Sequence, residues 1–261
     1  MIPSLKISMI QSNIIWEDVK ANLLHYDDML GKVDPDTDIV ILPEMFSTGF
    51  TMNSEKMSEG FDGVIFQWLK TKADAHNFII TGSMIFRDGN KIFNRLVWMN
   101  PSGSFSLYDK RHLFRMGKEN EHYSRGSEKL IVDYKGWRIC PLICYDLRFP
   151  VWSRNSAAGY DLLIYTANWP ASRSHAWNTL LRARAIENQC YVAGLNRVGT
   201  DGEGIQYSGE SVIIDAKGYN LTEAKGAGEE IISTALDHKS LAEYRKRFPV
   251  SSDSDDFQIN I

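Results

Sequence analysis

The segment at residues 138–150, RICPLICYDLRFP, restricts the possible folds of this chain more than any other. Its apolar run at 139–143 predicts a buried strand, and the polar residues that follow at once predict a turn and then a helix. Cys144 therefore ends a buried strand, where a rigid backbone would hold its thiol above the sheet. That position suits a nucleophile, although a cysteine is about as often a small buried apolar residue.

The charge and the cysteine content indicate which partners and which cellular compartment to expect. The net charge of the 261 residues is −4 and no long basic run occurs, so we expect neither a nucleic-acid nor a membrane partner. Cys140, Cys144 and Cys190 form no C-x-x-C pair, which is typical of reduced thiols in a cytoplasmic protein. Residues 1–15 lack the features of a signal peptide, and no apolar run reaches membrane-spanning length.

The order of predicted elements indicates an α/β fold in a single domain over residues 1–261. Apolar runs between turn residues predict strands at 5–11, 39–42, 78–86, 91–99, up to 108, 129–133, 137–143, 161–166, 190–195, 210–214 and 230–235. Helical periodicity predicts helices at 18–30, 61–75, 149–158, 174–188 and 240–247. Hairpin signals interrupt the alternation of strands and helices, so two sheets with helices outside fit better than one parallel sheet.

Two further details follow from the same pattern. Ser172 or Ser174 can cap the helix at 174–188, because both side chains can accept a backbone hydrogen bond. The polar segment 109–126 has little periodicity and is expected to be a long loop, which in a compact domain is often functional.

Polar side chains follow two other predicted strands. Glu44 ends the run IVILPE, and Lys110 follows the strand FSLY. If these strands and the strand before Cys144 are neighbours in one sheet, a carboxylate, an ammonium and a thiol meet. They could then act as base, oxyanion stabiliser and nucleophile. Taken singly, Glu44 is more often a solvated cap and Lys110 a surface charge, and one of the six histidines is an alternative base.

These segments resemble the motifs of the nitrilase, or carbon–nitrogen hydrolase, superfamily. They are LPE at 42–44, YDKRHLF at 108–114 and CYDLRFP at 144–150. The resemblance implies a four-layer α-β-β-α sandwich, with Glu44 as general base and acid, Lys110 as oxyanion stabiliser and Cys144 as nucleophile. The second glutamate of the family lies seven residues before a glycine, which selects Glu119 before Gly126 as an orienting residue, with Glu121 in reserve. No metal or organic cofactor is expected.

Within the superfamily, PEMFSTGF at 43–50 and the tail RFPVSSDSDDF at 247–257 are most similar to the omega-amidase branch. This implies hydrolysis of the terminal amide of short ω-amido α-keto acids, such as 2-oxoglutaramate and 2-oxosuccinamate, through a thioester. Other amides, N-carbamoyl amines, nitriles or deaminated glutathione are alternative substrates, and an inactive scaffold is a further alternative. The resemblance also implies a homodimer paired through the helices at 149–158 and 174–188, with residues 248–261 crossing to the partner.

A keto-acid substrate carries a carboxylate, so its pocket should contain a cation or several donors. Arg173 is one candidate and Arg148 another, although Arg148 is more often expected to form a structural pair with Asp146 or a neighbour. The backbone N–H of Tyr145 is expected to be a second oxyanion donor at the substrate carbonyl. The aromatic residues expected to line the pocket are Phe46, Tyr123 and Trp169, although each could equally be core.

Overall fold

A computed structural model describes residues 2–156, 159–255 and 258–259. The first sheet contains β1 (Leu5–Gln11), β2 (Ile39–Ile41), β3 (Ile79–Asp88), β4 (Lys91–Met99), β5 (Phe105–Asp109) and β14 (Glu230–Leu236). The second contains β6 (Val132–Tyr134), β7 (Trp137–Ile143), β8 (Leu162–Ala167), β9 (Tyr191–Asn196), β12 (Val212–Ile214) and β13 (Asn220–Glu223). A separate hairpin is formed by β10 (Val198–Thr200) and β11 (Gln206–Ser208).

The two sheets have similar topology. Their strand orders are β14-β1-β2-β3-β4-β5 and β13-β12-β9-β8-β7-β6. Each has a parallel centre, β1-β2-β3 in the first and β7-β8-β9 in the second, with antiparallel strands outside. Because the carboxyl ends of parallel strands meet at one edge of a sheet, residues after β2, β7 and β8 are well placed to form a site.

The helices are α1 (Val19–Leu30), α2 (Ser54–Met57), α3 (Val64–His76), α4 (Glu119–His122), α5 (Pro150–Ser153), α6 (Ser174–Asn188) and α7 (His238–Arg247). Asp18 caps α1 by accepting a hydrogen bond from the backbone N–H of Ala21. No described helix is long and apolar enough to cross a membrane.

Three apolar cores define the layers. Ile7 of β1 and Ile139 of β7 belong to a core between the sheets. Leu23 of α1 packs with Ile80 of β3 on the outer face of the first sheet, in a core that also includes α3. Leu181 of α6 belongs to a third core on the outer face of the second sheet. Both faces of each sheet are therefore covered, which confirms the expected α-β-β-α sandwich.

Several local expectations were wrong. The helix expected at 149–158 is shorter, because residues 144–148 form a 3₁₀ turn and α5 ends at Ser153; positions 157 and 158 lie outside the described residues. The N-cap of α6 is Arg173 and not a serine, because a 3₁₀ turn leads directly into the helix. The Arg173 side chain makes no capping hydrogen bond. The segment 109–126 contains a 3₁₀ turn and α4. In the tail, positions 256, 257, 260 and 261 lie outside the described residues.

Candidate active site

The two sheets together, and not one sheet, bring the expected residues to one place. Glu44 follows β2 and Lys110 follows β5, so both belong to the first sheet, but β3 and β4 lie between their strands. Cys144 follows β7 in the second sheet. The three strands are therefore not neighbours in one sheet, which was the condition considered from the sequence. The side chains meet because the sheets are stacked.

Four side chains form a closed ring of hydrogen bonds, which we call the carboxylate ring. Lys110 Nζ donates to Glu44 Oε1 at 2.8 Å and to Glu119 Oε1 at 2.9 Å. Asn94 Nδ2 donates to the same two oxygens, at 2.8 and 3.1 Å. All four residues have 0% solvent exposure. The structure thus joins three of the residues selected from the sequence, and adds Asn94.

The carboxylate ring contains two acids and one ammonium. Burial lowers the pKa of Lys110, but Glu119 and Glu44 raise it more, so the ammonium is retained. Burial raises the pKa of Glu119, against the opposing effect of Lys110. Each Glu119 oxygen accepts from Lys110 at 2.9 Å, and Oε2 also accepts from the Phe114 N–H at 2.6 Å. These donors stabilise a carboxylate where burial alone would disfavour one.

Cys144 lies at a strained turn. Its φ of 43° is in the left-handed region, which non-glycine residues seldom adopt. The 3₁₀ turn at 144–148 follows β7 directly, so the chain reverses at the thiol. This geometry resembles a nucleophile elbow, and it agrees with the predicted position of Cys144 between a buried strand and a turn.

Asp146 holds this turn in place. Its Oδ2 accepts from the Ile143 N–H at 3.1 Å and from the Tyr108 hydroxyl at 2.7 Å. Its Oδ1 accepts from the His112 backbone N–H at 3.0 Å and lies 2.8 Å from Nδ1 of that ring. The expected pairing of Asp146 with Arg148 was therefore wrong, because the carboxylate is occupied by groups near the end of β5.

The thiol of Cys144 is protonated at neutral pH. Burial raises its pKa well above the ordinary value, Glu44 raises it further, and Lys110 lowers it. Attack by sulfur therefore requires a base. Sγ lies 3.8 Å from the carbonyl oxygen of Asn168, and the N–H of Asn168 donates to Glu44 Oε2 at 2.8 Å. Asn168 thus connects the acid and the thiol. It follows β8 directly, a position that could have identified it from the sequence.

A cavity of about 340 Å³ opens beside the thiol. Its walls include Cys144, Lys110 and three of the expected substrate-binding residues, Tyr145, Trp169 and Arg173. Arg148, for which a structural pair was favoured over a place in the pocket, also lines it. The Arg148 guanidinium lies 4.9 Å from the ring centre of Trp169, and that of Arg173 lies 5.0 Å from the ring centre of Phe114. Within the described ranges, neither guanidinium lies at ion-pair distance from a carboxylate.

Phe46 and Tyr123 occupy the core, and not the cavity wall where they were expected. Phe46 has 0% exposure and packs edge-on against Tyr26, with ring centres 5.4 Å apart. The φ of Met45 is 44°, and this turn sends Phe46 toward the helices outside the first sheet. The Tyr123 hydroxyl donates to the Thr51 carbonyl oxygen at 2.5 Å. Both positions correct the sequence-based expectation.

The loop between β10 and β11 forms another wall that the sequence interpretation missed. It contributes Asp201, Glu203 and Ile205, and Tyr207 follows in β11. Asp201 accepts hydrogen bonds from the Tyr207 hydroxyl and the Ile205 N–H, at 2.8 and 2.9 Å, and so fixes the loop. In the part of the chain that the structure describes, no cluster of three or more histidine, cysteine or acidic residues could hold a metal.

The chain is similar to known proteins over nearly its whole length. A family model described as carbon-nitrogen hydrolase matches residues 6–246. The chain is 46% identical over 258 residues to the omega-amidase YafV of Escherichia coli (strain K12), covering 99% of this chain and 100% of the relative. It is 34% identical over 251 residues to the 2-oxoglutaramate amidase of Bacillus subtilis (strain 168), covering 95% of this chain and 96% of the relative.

A solved structure also resembles this fold closely. XC1258 from Xanthomonas campestris, described as a CN-hydrolase superfamily protein with an arsenic adduct in the active site, superposes with a TM-score of 0.96. Its identity to this chain is 43%, and the match covers 99% of this chain and 100% of that one. The similarity therefore includes both sheets and the segments that carry the site.

Proposed function

Because the chain belongs to the carbon–nitrogen hydrolase family and is an amide-hydrolysing enzyme, we propose that it is a cysteine-dependent omega-amidase. Its substrates would be short ω-amido α-keto acids such as 2-oxoglutaramate and 2-oxosuccinamate. The observation that carries the proposal is the Cys144 thiol beside the buried Glu44, in a cavity with two arginines at its wall. The amidases of Escherichia coli and Bacillus subtilis support the substrate class.

In the first half of the reaction, Glu44 accepts the thiol proton while Cys144 Sγ attacks the amide carbon. The carbonyl bond opens, and its oxygen becomes an oxyanion. When the tetrahedral intermediate collapses, Glu44 returns the proton to the amide nitrogen, the carbon–nitrogen bond breaks, and ammonia leaves. The acyl group then remains on sulfur as a thioester.

In the second half, water replaces ammonia. Glu44 takes a proton from the water as its oxygen attacks the thioester carbon, and the carbon–sulfur bond breaks in the second collapse. Glu44 then reprotonates the sulfur, and the product leaves as a keto dicarboxylic acid. One carboxylate serves both halves, and its contact with the Asn168 N–H holds it in place between them.

Lys110 would stabilise both oxyanions together with the Tyr145 backbone N–H. All three short contacts of its ammonium go to carboxylate oxygens, two of them on Glu119. One of the two Glu119 contacts can pass to the oxyanion without loss of the ion pair. Glu119 would therefore orient Lys110 and not carry the reacting proton.

Arg148 and Arg173 would bind the carboxylate of the keto acid. Their guanidinium groups lie over Trp169 and Phe114 at the cavity wall, and aromatic stacking leaves their in-plane N–H donors available. Two such groups can bind a carboxylate by charge-assisted hydrogen bonds. An uncharged amide would lose these contacts.

The test is ammonia release by purified enzyme from 2-oxoglutaramate, glutamine, pentanamide, a simple nitrile and an N-carbamoyl amino acid. Pentanamide lacks the carboxylate at the same chain length, and glutamine replaces the ketone with an ammonium. We expect a preference for 2-oxoglutaramate that disappears in Cys144→Ala. Release from another compound would replace the proposed substrate class, and undiminished release by Cys144→Ala would refute the cysteine mechanism.

We also propose that the enzyme is a cytoplasmic homodimer, with one hydrolase domain over 1–261. The three unbridged, buried cysteines are consistent with a reducing compartment. Val151 of α5 and Ile186 of α6 are 54% and 49% exposed, which supports pairing through these helices. The tail at 248–261 would cross to the partner. Light scattering after gel filtration tests the dimer, with Val151→Glu as the variant expected to dissociate it.

A further inference from the structure

Asn94 is the one member of the carboxylate ring that carries no charge. It lies in the middle of β4 with 0% exposure. Its Nδ2 donates to Glu44 Oε1 at 2.8 Å and to Glu119 Oε1 at 3.1 Å, so one amide group serves both acids. A buried polar residue within a strand requires such partners, because an unpaired amide would be costly there.

Ser83 fixes the orientation of this amide. The Ser83 hydroxyl donates to Asn94 Oδ1 at 2.8 Å and accepts from the Met45 N–H at 2.9 Å. Because Oδ1 receives the hydroxyl proton, Asn94 presents its Nδ2 donors to the carboxylates. Met45 directly follows Glu44 and has a φ of 44°. The same chain of hydrogen bonds therefore holds both the backbone and the carboxylate of Glu44.

These contacts make the two oxygens of Glu44 unequal. Oε1 accepts two short bonds, from the Lys110 ammonium and the Asn94 amide, both at 2.8 Å. Oε2 accepts one short bond from the Asn168 N–H at 2.8 Å, and its contact with Asn168 Nδ2 is 3.4 Å. Hydrogen bonds to a charged oxygen stabilise it and reduce its affinity for a proton. Oε2 is therefore the more basic oxygen.

We propose that Asn94 is a positioning residue, which saturates Glu44 Oε1 and leaves Oε2 to exchange protons with the thiol and the leaving amine. This inference rests on the proposed cysteine amidase mechanism. Asn94 contacts neither the thiol nor the cavity, and acts only through Glu44 and Glu119. A neutral donor is suited to the role because it adds no charge to a buried site that already contains three.

The expected effect has a definite sign. Asn94→Ala removes a donor from both carboxylates, which leaves their negative charge less compensated. The charge of Glu44 raises the pKa of the Cys144 thiol, so the acid limb of the activity profile should move to higher pH. The other ionisable groups that face the pair are Lys110, Cys144 and Tyr123, and the substitution leaves all three in place. We expect kcat/KM at pH 7 to fall about 10- to 100-fold, the usual worth of a hydrogen bond to a charged group.

Two readouts test this role, and one of them needs no amide substrate. The first is the pH profile of kcat and KM for 2-oxoglutaramate. The second is the pH profile of Cys144 alkylation by iodoacetamide, followed by peptide mass spectrometry. In Asn94→Ala, the acid limbs of both profiles should move to higher pH. We expect kcat to be reduced and KM to be nearly unchanged. Ser83→Ala should shift them in the same direction by a smaller amount, and provides a milder variant if Asn94→Ala does not fold.

Asn155 supplies a matched control. It is a buried asparagine whose amide bonds the carbonyl oxygens of Tyr160 and Asn188, away from the carboxylate ring. Asn155→Ala should lower the melting temperature without moving either limb. Unshifted limbs in both Asn94→Ala and Ser83→Ala would overturn the positioning role. A shifted alkylation limb in an enzyme that ignores 2-oxoglutaramate would support the role of Asn94 and reject only the substrate.

Discussion

The two sheets contribute unequal halves of the site. The first sheet and the segment after β5 supply the carboxylate ring, whose four side chains are fully buried and bonded to one another. The second sheet and its following loops supply most of the groups that face the cavity, among them Cys144, Tyr145, Arg148, Asn168, Trp169 and Arg173. One half contains the buried charges, and the other forms most of the cavity wall. Acid–base chemistry and substrate choice can therefore change separately.

The largest loss of activity should come from substitution of Cys144 or Glu44, the proposed nucleophile and base. We expect Cys144→Ala and Glu44→Gln each to reduce kcat by about 10³-fold or more, because loss of a nucleophile or its base removes the reaction route. Ammonia release measures this, with circular dichroism to show that the fold is kept. Activity within tenfold of the parent enzyme in either variant would contradict the proposed roles.

The next effect concerns the stability of the buried half. Lys110→Met leaves Glu44 and Glu119 without their cation, and breaking a buried ion pair typically costs about 3–5 kcal/mol. Urea unfolding measures the loss. The double variant Lys110→Met/Glu119→Leu, which also removes one acid, should recover part of it. Lys6→Met, at an exposed lysine, should change stability by less than about 0.5 kcal/mol.

The cavity half should respond in KM. Arg148→Ala and Arg173→Ala should each raise KM for 2-oxoglutaramate about 10-fold, since a charge-assisted hydrogen bond is lost, while kcat changes little. Hydrolysis of pentanamide should be unaffected. Arg87→Ala is the control, because Arg87 pairs with Glu55 on the surface. An unchanged KM in both cavity variants would remove the arginines from carboxylate recognition.

The pKa of the Cys144 thiol should depend on the charge of Glu44 in the carboxylate ring. Glu44 raises the pKa of Cys144, so Glu44→Gln should lower that pKa while abolishing hydrolysis. Alkylation by iodoacetamide across pH measures the change. Burial raises the pKa of Cys140 to about 12, and that residue has 0% exposure, so it serves as an internal unreactive reference. A higher Cys144 pKa in this variant would contradict the expected effect of Glu44 on the thiol.

The smallest expected effect distinguishes a core aromatic residue, Phe46, from a cavity aromatic residue, Trp169. Phe46→Leu should reduce stability by about 1–2 kcal/mol and leave KM within twofold, because Phe46 packs against Tyr26 outside the site. Trp169→Leu should change KM, because Trp169 lines the cavity. Thermal unfolding and KM for 2-oxoglutaramate measure the two responses. A large KM change in Phe46→Leu would show that Phe46 contributes to the substrate pocket.

Elements with strong local signals could be predicted from the sequence. The bounds of β1, β4, β7 and α6 agree with the predicted ranges, because each is a periodic or apolar run between clear turn signals. Glu44, Lys110 and Cys144 were visible because polar residues directly follow apolar strands. The four layers came from family resemblance, since periodicity does not reveal which strands share a sheet.

The remaining site residues depend on tertiary structure. Asn94 lies within a strand, so nothing in its local sequence shows that the fold brings Glu44 and Glu119 to its side chain. Phe46 was misplaced because the left-handed Met45 reverses the direction of the next side chain. Arg148 was expected to pair with Asp146 or a neighbour, yet Tyr108 of β5 and His112, which follows β5, contact the Asp146 carboxylate. Such contacts join residues that are distant in sequence.

The left-handed backbone at Cys144 has an evolutionary consequence. Non-glycine residues in this conformation carry strain, which the surrounding structure must offset. Glycine would fit the backbone but cannot attack a carbonyl, whereas β-branched residues would fit poorly. With Cys144 as the proposed nucleophile, selection for a more stable chain and selection for an active one act in opposite directions at this position. An inactive descendant of this enzyme would be free to relax the turn, so relaxation there would mark lost catalysis.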